Sequence, residues 1–285
     1  YASTSKRTQI SEPYRKCLLG PPGTGKSECL RWTRRFFEEV LGWTHGVQFQ
    51  MVAPQHTMAL LIGGGTVHWF GQVPINATGM QQRGGKKGEQ DVDELFERTQ
   101  SLRWILIDEI EALAAVVFGI LHGNLCKAMS RSPYAKRKDG TQRPFGGVNL
   151  SLSGDWWQLP PVKKIGFYSN PFQSDMDYTE QLAMSFFWRS SNDAIQGTHE
   201  LVRSNRTSDI WLREALQQDR EGAESWEVYC FTHGLPTKNV GTWLPSQTSP
   251  ACGNDNCATL PAEWDINGNM VLHGMHDVVA NAVYV

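Results

Sequence analysis

Cys17-Leu18-Leu19-Gly20-Pro21-Pro22-Gly23-Thr24-Gly25-Lys26-Ser27 is the stretch from which the fold can be read. Its last eight residues fit the pattern G-x-x-x-x-G-K-[ST], and the apolar run KCLL leads into them. Downstream, Cys29, Thr33, Phe36, Phe37 and Val40 recur at helical spacing until Gly42, which is well placed to stop a helix. Strand, glycine-rich turn and helix thus follow one another in the order that gives the pattern physical meaning. Glycines let successive backbone N–H groups turn toward an anion, and a helix beginning near Gly25 adds the positive end of its dipole. Gly20, Pro21, Pro22, Gly23, Thr24, Gly25, Lys26 and Ser27 are therefore expected to cradle the phosphates of ATP. Lys26 would reach the β- and γ-phosphates, and Ser27 would ligate Mg²⁺ through its hydroxyl.

Three more apolar runs end in residues useful to chemistry: VQFQMVA before Pro54, WILI before Asp108, and VNLSLS before Gly154 and Asp155. Four such runs predict an α/β fold built on a mostly parallel sheet, which carries its sites at the carboxyl ends of the strands. Asp108 is then placed to hold the same Mg²⁺ and Glu109 to polarise the attacking water. Ala112 to Leu121 is apolar all round, as expected of a helix buried on most sides. At about half the roughly 20 residues of a membrane span, it is too short to cross a bilayer.

The 285 residues suffice for one large or two ordinary domains, and 40% hydrophobic content suffices for a core. Lys plus Arg total 27 against 29 Asp plus Glu, so no global field points to a polyanion, and any such partner must be met by local patches. Gly79 to Gly88 and Ser130 to Arg143 are basic and glycine-containing and read as surface loops. A second helical pattern spans Asp209 to Glu221, with Ser208 as N-cap and Ile210, Leu212, Ala215 and Leu216 as its stripe. Residues 231–260 read as loop-rich. Six scattered Cys fit a reducing, intracellular compartment. Cys252 and Cys257 enclose four residues without a second pair, so loop cysteines are expected there and not a zinc site. The opening YASTSKRTQ has no apolar stretch and reads as a fragment boundary.

Gly154-Asp155-Trp156-Trp157-Gln158-Leu159-Pro160-Pro161-Val162 resembles the GDxxQLPPV motif of superfamily-one DNA helicases of the PIF (petite integration frequency) type, and Pro144-Phe145-Gly146-Gly147 resembles the PFGG that introduces it. Ile62-Gly63-Gly64-Gly65-Thr66-Val67-His68-Trp69-Phe70 is similar to the family's IGGxTIHSF, with Trp69 in place of Ser. Leu201, Arg206, Leu216, Arg220 and Gly222 keep the spacing of a further motif, and Phe231 to Lys238 resembles a segment of the Helitron-like branch. The resemblance implies a P-loop, RecA-like sheet flanked by helices over residues 1–195, and over 196–285 the incomplete start of a second RecA-like domain. It implies Gln158 as γ-phosphate sensor, Arg206 as arginine finger with Arg203 as competitor, and Thr66 and His68 as contacts to single-stranded DNA.

The activity implied is that of an ATP-dependent DNA helicase, a monomeric motor moving 5′ to 3′ on single-stranded and forked DNA, in repair, recombination and telomere maintenance, in nucleus or mitochondrion. Two departures stand out. Pro54-Gln55-His56-Thr57 does not reproduce the family's STGIA, and Gln9 lies too near the P-loop for the family's adenine-reading glutamine. The family's late motifs have no counterpart before Val285, so the chain reads as truncated and unable to unwind DNA alone. A P-loop ATPase of AAA type, or a helicase relic that only binds nucleotide or single strands, are the competing readings.

Overall fold

The computed structural model describes residues 12–75, 86–170, 175–205, 207, 210–226, 228, 262–264 and 270–272, with the backbone alone for 86–92, 210–211 and the last two segments. The chain divides into two compact units, Tyr1–Ser204 and Asn205–Val285.

The first unit is a six-stranded sheet in the order β3-β2-β4-β5-β1-β6, every described pair parallel. Its strands are β1 (Arg15–Leu19), β2 (Phe49–Ala53), β3 (Gly65–Thr66), β4 (Trp104–Ile107), β5 (Asn149–Gly154) and β6 (Gly197–Glu200). The four expected runs are β1, β2, β4 and β5; the two outer strands were not anticipated. β3 has only two residues, and β6, with the burial of a half-exposed edge, lacks an apolar pattern.

Both faces of the sheet are covered, which is why its strands read as continuous apolar runs. Side chains alternate across the pleat. Met51 and Leu106 pack on one side with Leu30, Phe37, Ala59 and Ile62, from α1 (Lys26–Arg35), the turn after it, and α2 (His56–Leu61) with its end. Val52, Ile105, Ile107, Leu150 and Leu152 pack on the other with α5 (Ala115–Ala128) and α6 (Tyr178–Trp188).

Around these lie α3 (Val67–Phe70) and α4 (Lys86–Thr99). A capping box starts α6, the Asp177 carboxylate accepting from Glu180 N at 2.9 Å while Glu180 accepts from Asp177 N at 3.1 Å. In the second unit, α7 (Ile210–Glu221) is followed by the antiparallel pair β7 (Ala262–Trp264) and β8 (Met270–Leu272).

Several expectations need correction. The buried residues of the first helix are Leu30 and Phe37, seven apart and so on one face, whereas Cys29 is exposed and Phe36 and Val40 face solvent. The helix widens into a π-helical turn at Phe36–Val40 before Gly42, with φ of 64°, ends it. The apolar stretch from Ala112 is broken at Leu113–Ala114, because a 3₁₀ turn (Ile110–Ala112) precedes α5. Gly88 lies within α4, not in a loop.

Ser130–Arg143 is not simply a surface loop. Arg143 is 5% exposed, and Arg137 forms ion pairs with Glu12 at 2.8 Å and Asp193 at 2.5 Å. β6 pairs with β1 from Lys16↔Gly197 to Leu19↔Glu200, so the first unit runs to Ser204 and past the expected boundary at 195. In α7, Ala215 is buried while Leu216 is exposed; Ser208, Asp209, Arg206, Gln9 and residues 231–260, with Cys252 and Cys257, lie outside the described residues.

Candidate nucleotide site at the carboxyl edge of the sheet

Parallel register brings the ends of β1, β5 and β4 side by side, with Leu19 opposite Gly154 and Ile107 opposite Leu152. Three loops therefore meet at one edge. The first, Gly20–Gly25, turns through left-handed backbone at Gly23 (φ 79°) and Gly25 (φ 95°), conformations that side chains with a Cβ rarely adopt. Thr24 Oγ1 closes the turn by donating to the Pro21 carbonyl at 2.8 Å. Lys26 is 7% exposed, and its ammonium donates to Gly20 O at 2.6 Å and Pro21 O at 3.2 Å. The cation is thus held inside the cradle, beside the N-terminus of α1, where an anion gains most.

The second loop starts at Asp108. Ser27 Oγ donates to Asp108 Oδ2 at 2.8 Å, while Asp108 Oδ1 accepts from Ser153 Oγ and, at 3.1 Å, from Glu109 N. Burial pushes the Asp108 carboxyl up, and the hydrogen bonds from Ser153 and Ser27 oppose that shift. A serine hydroxyl beside a carboxylate is the hard-oxygen pair that suits Mg²⁺, which keeps several waters and takes few protein ligands. Glu109 has φ 56° and ψ 51°, a left-handed conformation costing about 1 kcal/mol or more in a residue with a Cβ. Such strain at the turn points the residue after Asp108 away from the path of the strand.

Glu111 is also buried, 2% exposed. Its carboxyl is pushed up to about 9, first by burial and then by its hydrogen bond to Glu109. The third loop begins at Asp155, 1% exposed, whose N–H donates to Glu111 Oε2 at 3.0 Å. Asp155 Oδ1 accepts from Trp157 N at 3.2 Å, and Oδ2 accepts from Gln158 Nε2 at 3.4 Å. Gln158 is thereby held on the loop that leaves the strand next to β4.

The residues singled out by sequence thus fall in two groups. Gly20–Ser27, Asp108, Glu109 and Gln158 occupy adjacent loops at this edge. Thr66 and His68 stand farther along it, at the end of β3: Thr66 Oγ1 caps α3 by accepting from Trp69 N at 3.1 Å, and burial pushes the half-buried His68 imidazole below its ordinary range. Trp69 is exposed, with the Arg98 guanidinium 4.9 Å from its ring centre, so it is not core packing.

Three residues of the site escaped sequence reasoning. Ser153 is a polar residue inside an otherwise buried strand, Glu111 a third acid two positions after Asp108-Glu109, and Asp155 was read only as part of its motif. Polar groups at positions the pattern assigns to a core are a usable signal, since they persist there only with partners.

A family model described as PIF1-like helicase matches residues 13–209. The chain belongs to the PIF1-like helicase family. It is 28% identical over 209 residues to the human ATP-dependent DNA helicase PIF1, a match covering 69% of this chain and 28% of the human protein. With the ATP-dependent DNA helicase RRM3 of Saccharomyces cerevisiae it shares 30% identity over 155 residues, 51% of this chain and 18% of RRM3.

Among solved structures it is similar to the Pif1 helicase from Bacteroides in complex with ADP-AlF3 and ssDNA, with a TM-score of 0.53 at 20% identity, covering 82% of this chain and 48% of that one. The Pif1 helicase from Candida albicans gives 0.52 at 24%, covering 80% and 45%. These likenesses show the RecA-like fold. This PIF1-like chain spans less than a third of the human relative and about half of the Bacteroides helicase. Membership in the family disfavours the AAA-type reading. The Helitron-like assignment gains no support, since the segment that suggested it, Phe231 to Lys238, lies outside both the family match and the described residues.

Proposed function

We propose that this chain carries the ATP-hydrolysing motor of an ATP-dependent DNA helicase that moves 5′ to 3′ on single-stranded and forked DNA. The observation that carries the reading is the Ser27–Asp108–Ser153 constellation, which joins the glycine-rich turn to the two neighbouring strand ends.

Lys26 exchanges its bonds to Gly20 and Pro21 for the β- and γ-phosphates of ATP, and the N–H groups of Gly23 to Ser27 close around them. Mg²⁺ held by Ser27 and Asp108 would neutralise charge on the phosphate oxygens. Glu109 accepts hydrogen bonding from the attacking water and orients it in line with the γ-phosphate. Gln158 senses that phosphate, and Arg206 is the arginine finger that stabilises transition-state charge. Thr66 and His68 contact the single strand.

The motor acts as a monomer in repair, recombination and telomere maintenance, in nucleus or mitochondrion. Support for this part comes from the family and from its DNA-bound relatives. Steady-state ATP hydrolysis with and without single-stranded DNA tests the reading. Strong stimulation by DNA that vanishes in Lys26→Ala is the expected result. Turnover indifferent to DNA, or none in the parent chain, would overturn it.

A further inference from the structure

Glu111 is a carboxyl whose presence stability does not explain. It is almost wholly buried at the 3₁₀ turn after Glu109, and a methionine or leucine of similar size would occupy that space without a desolvation cost. What the carboxyl does there is link two loops. One oxygen accepts the Asp155 N–H at 3.0 Å, and the group also hydrogen-bonds the Glu109 side chain. Where two carboxyls meet, one must carry the proton, and burial makes Glu111 that partner, leaving Glu109 as the charged acceptor.

The chain makes room for this contact. Gly154 lies against it, and a Cβ there would run into Glu111 Oε2 and approach Ile110 Cγ1 to 2.6 Å. Beyond Asp155 the connection continues, because the Asp155 carboxylate accepts from both Trp157 N and Gln158 Nε2.

We propose that Glu111 is a positioning residue for ATP hydrolysis: its buried carboxyl fixes the Glu109 side chain to the Asp155 amide and so sets the distance between the water-polarising group and Gln158. This rests on the ATPase reading above. Glu111 touches neither phosphate nor water, so its loss acts on the rate of the chemical step and not on nucleotide capture. Misplacement of a reacting group by about an ångström costs up to roughly 100-fold in rate.

The test compares Glu111→Gln with Glu111→Met in the full-length protein, by steady-state hydrolysis with single-stranded DNA. A glutamine amide can donate to Glu109 while its oxygen accepts from Asp155 N, so kcat should stay within roughly twofold of the parent. Methionine fills the space but makes neither bond, and kcat should fall about tenfold or more with KM for ATP within roughly twofold. Parent-like turnover in the methionine variant would overturn the proposal, as would a glutamine variant that is as slow as methionine while melting at the parent temperature.

Hydrogen exchange of the Asp155 amide gives a readout independent of turnover. Slow exchange in the parent and in Glu111→Gln is expected, and fast exchange in the folded parent would overturn the link even if the methionine variant failed to fold. A parent chain without DNA-stimulated hydrolysis would instead sink the ATPase reading, while the exchange measurement still reports on the contact.

Discussion

The Ser27 hydroxyl donates to Asp108 Oδ2 at 2.8 Å across a separation of 81 residues. The bond holds two oxygen ligands of opposite sequence origin side by side before any cation arrives, so little reorganisation is left for binding. Replacing Ser27 by alanine removes one of them and leaves the buried Asp108 with Ser153 and Glu109 N as donors. The Mg²⁺ concentration for half-maximal hydrolysis should rise roughly tenfold or more, and Ser27→Thr should restore it. A Mg²⁺ titration identical in the alanine variant would remove Ser27 from the site.

Lys26→Ala should depress hydrolysis about 100-fold or more by removing charge compensation at the phosphates. Its ammonium is bonded only to carbonyls of its own loop among the described residues, so the folded state should lose no more than about 1–2 kcal/mol. Denaturant melting beside the ATPase assay separates the two effects. A collapse of stability matching the loss of activity would argue that Lys26 serves the fold.

Glu109→Gln keeps the size of the side chain and removes the carboxylate that orients water. Nucleotide affinity, read with a fluorescent ATP analogue, should stay near the parent value while single-turnover hydrolysis slows by about 100-fold or more. Weak binding with a normal chemical step would contradict the assignment.

Gly154→Ala sets a Cβ against Glu111 Oε2, Ile110 Cγ1 and Ile110 N. Backbone and a buried carboxyl give way poorly, so the variant should lose about 1–3 kcal/mol of stability. An unchanged thermal midpoint would mean that the two loops are not packed as described.

His122, on α5, packs against the rings of Phe145 and Phe186 and accepts Phe145 N–H on Nδ1 at 3.1 Å. Burial pushes its imidazole down from an ordinary value of 6.5 to about 4. Between those values the unfolded chain holds the proton and the folded chain does not, so stability conferred above pH 6.5 is lost as pH falls toward 4. The slope contributed is at most about 1.4 kcal/mol per pH unit. His122→Asn, which keeps an acceptor near the Nδ1 position but cannot titrate, should show a shallower fall in denaturation midpoint from pH 7 to pH 5. An unchanged slope in that variant would assign the pH dependence elsewhere.

Gly20–Ser27, WILI before Asp108 and the Gly154–Val162 string were legible because each is a local signal. A tight turn, a strand end and a helix start lie within a few residues of one another, and their chemistry follows from backbone conformation alone. The apolar runs were equally plain, since strands buried on both faces leave no polar alternation to confuse the pattern. The register of the first helix was not legible. Cys29 and Leu30 both fit a helical stripe, and contact with Phe49 and Met51 selects Leu30 and Phe37. β6 was hidden for a related reason: Gly197–Glu200 has no apolar pattern and becomes a strand because the open edge of β1 offers its hydrogen bonds.

Within the site the same division holds. That Lys26, Ser27, Asp108, Glu109 and Gln158 stand at strand ends followed from residue order and the physics of turns. That Ser153 braces Asp108, and that Glu111 reaches Asp155, followed from strands 45 and 44 residues apart being brought into register. No short-range preference specifies such contacts. They exist because buried polar groups must find partners, and the packing of the sheet determines which partners are within reach.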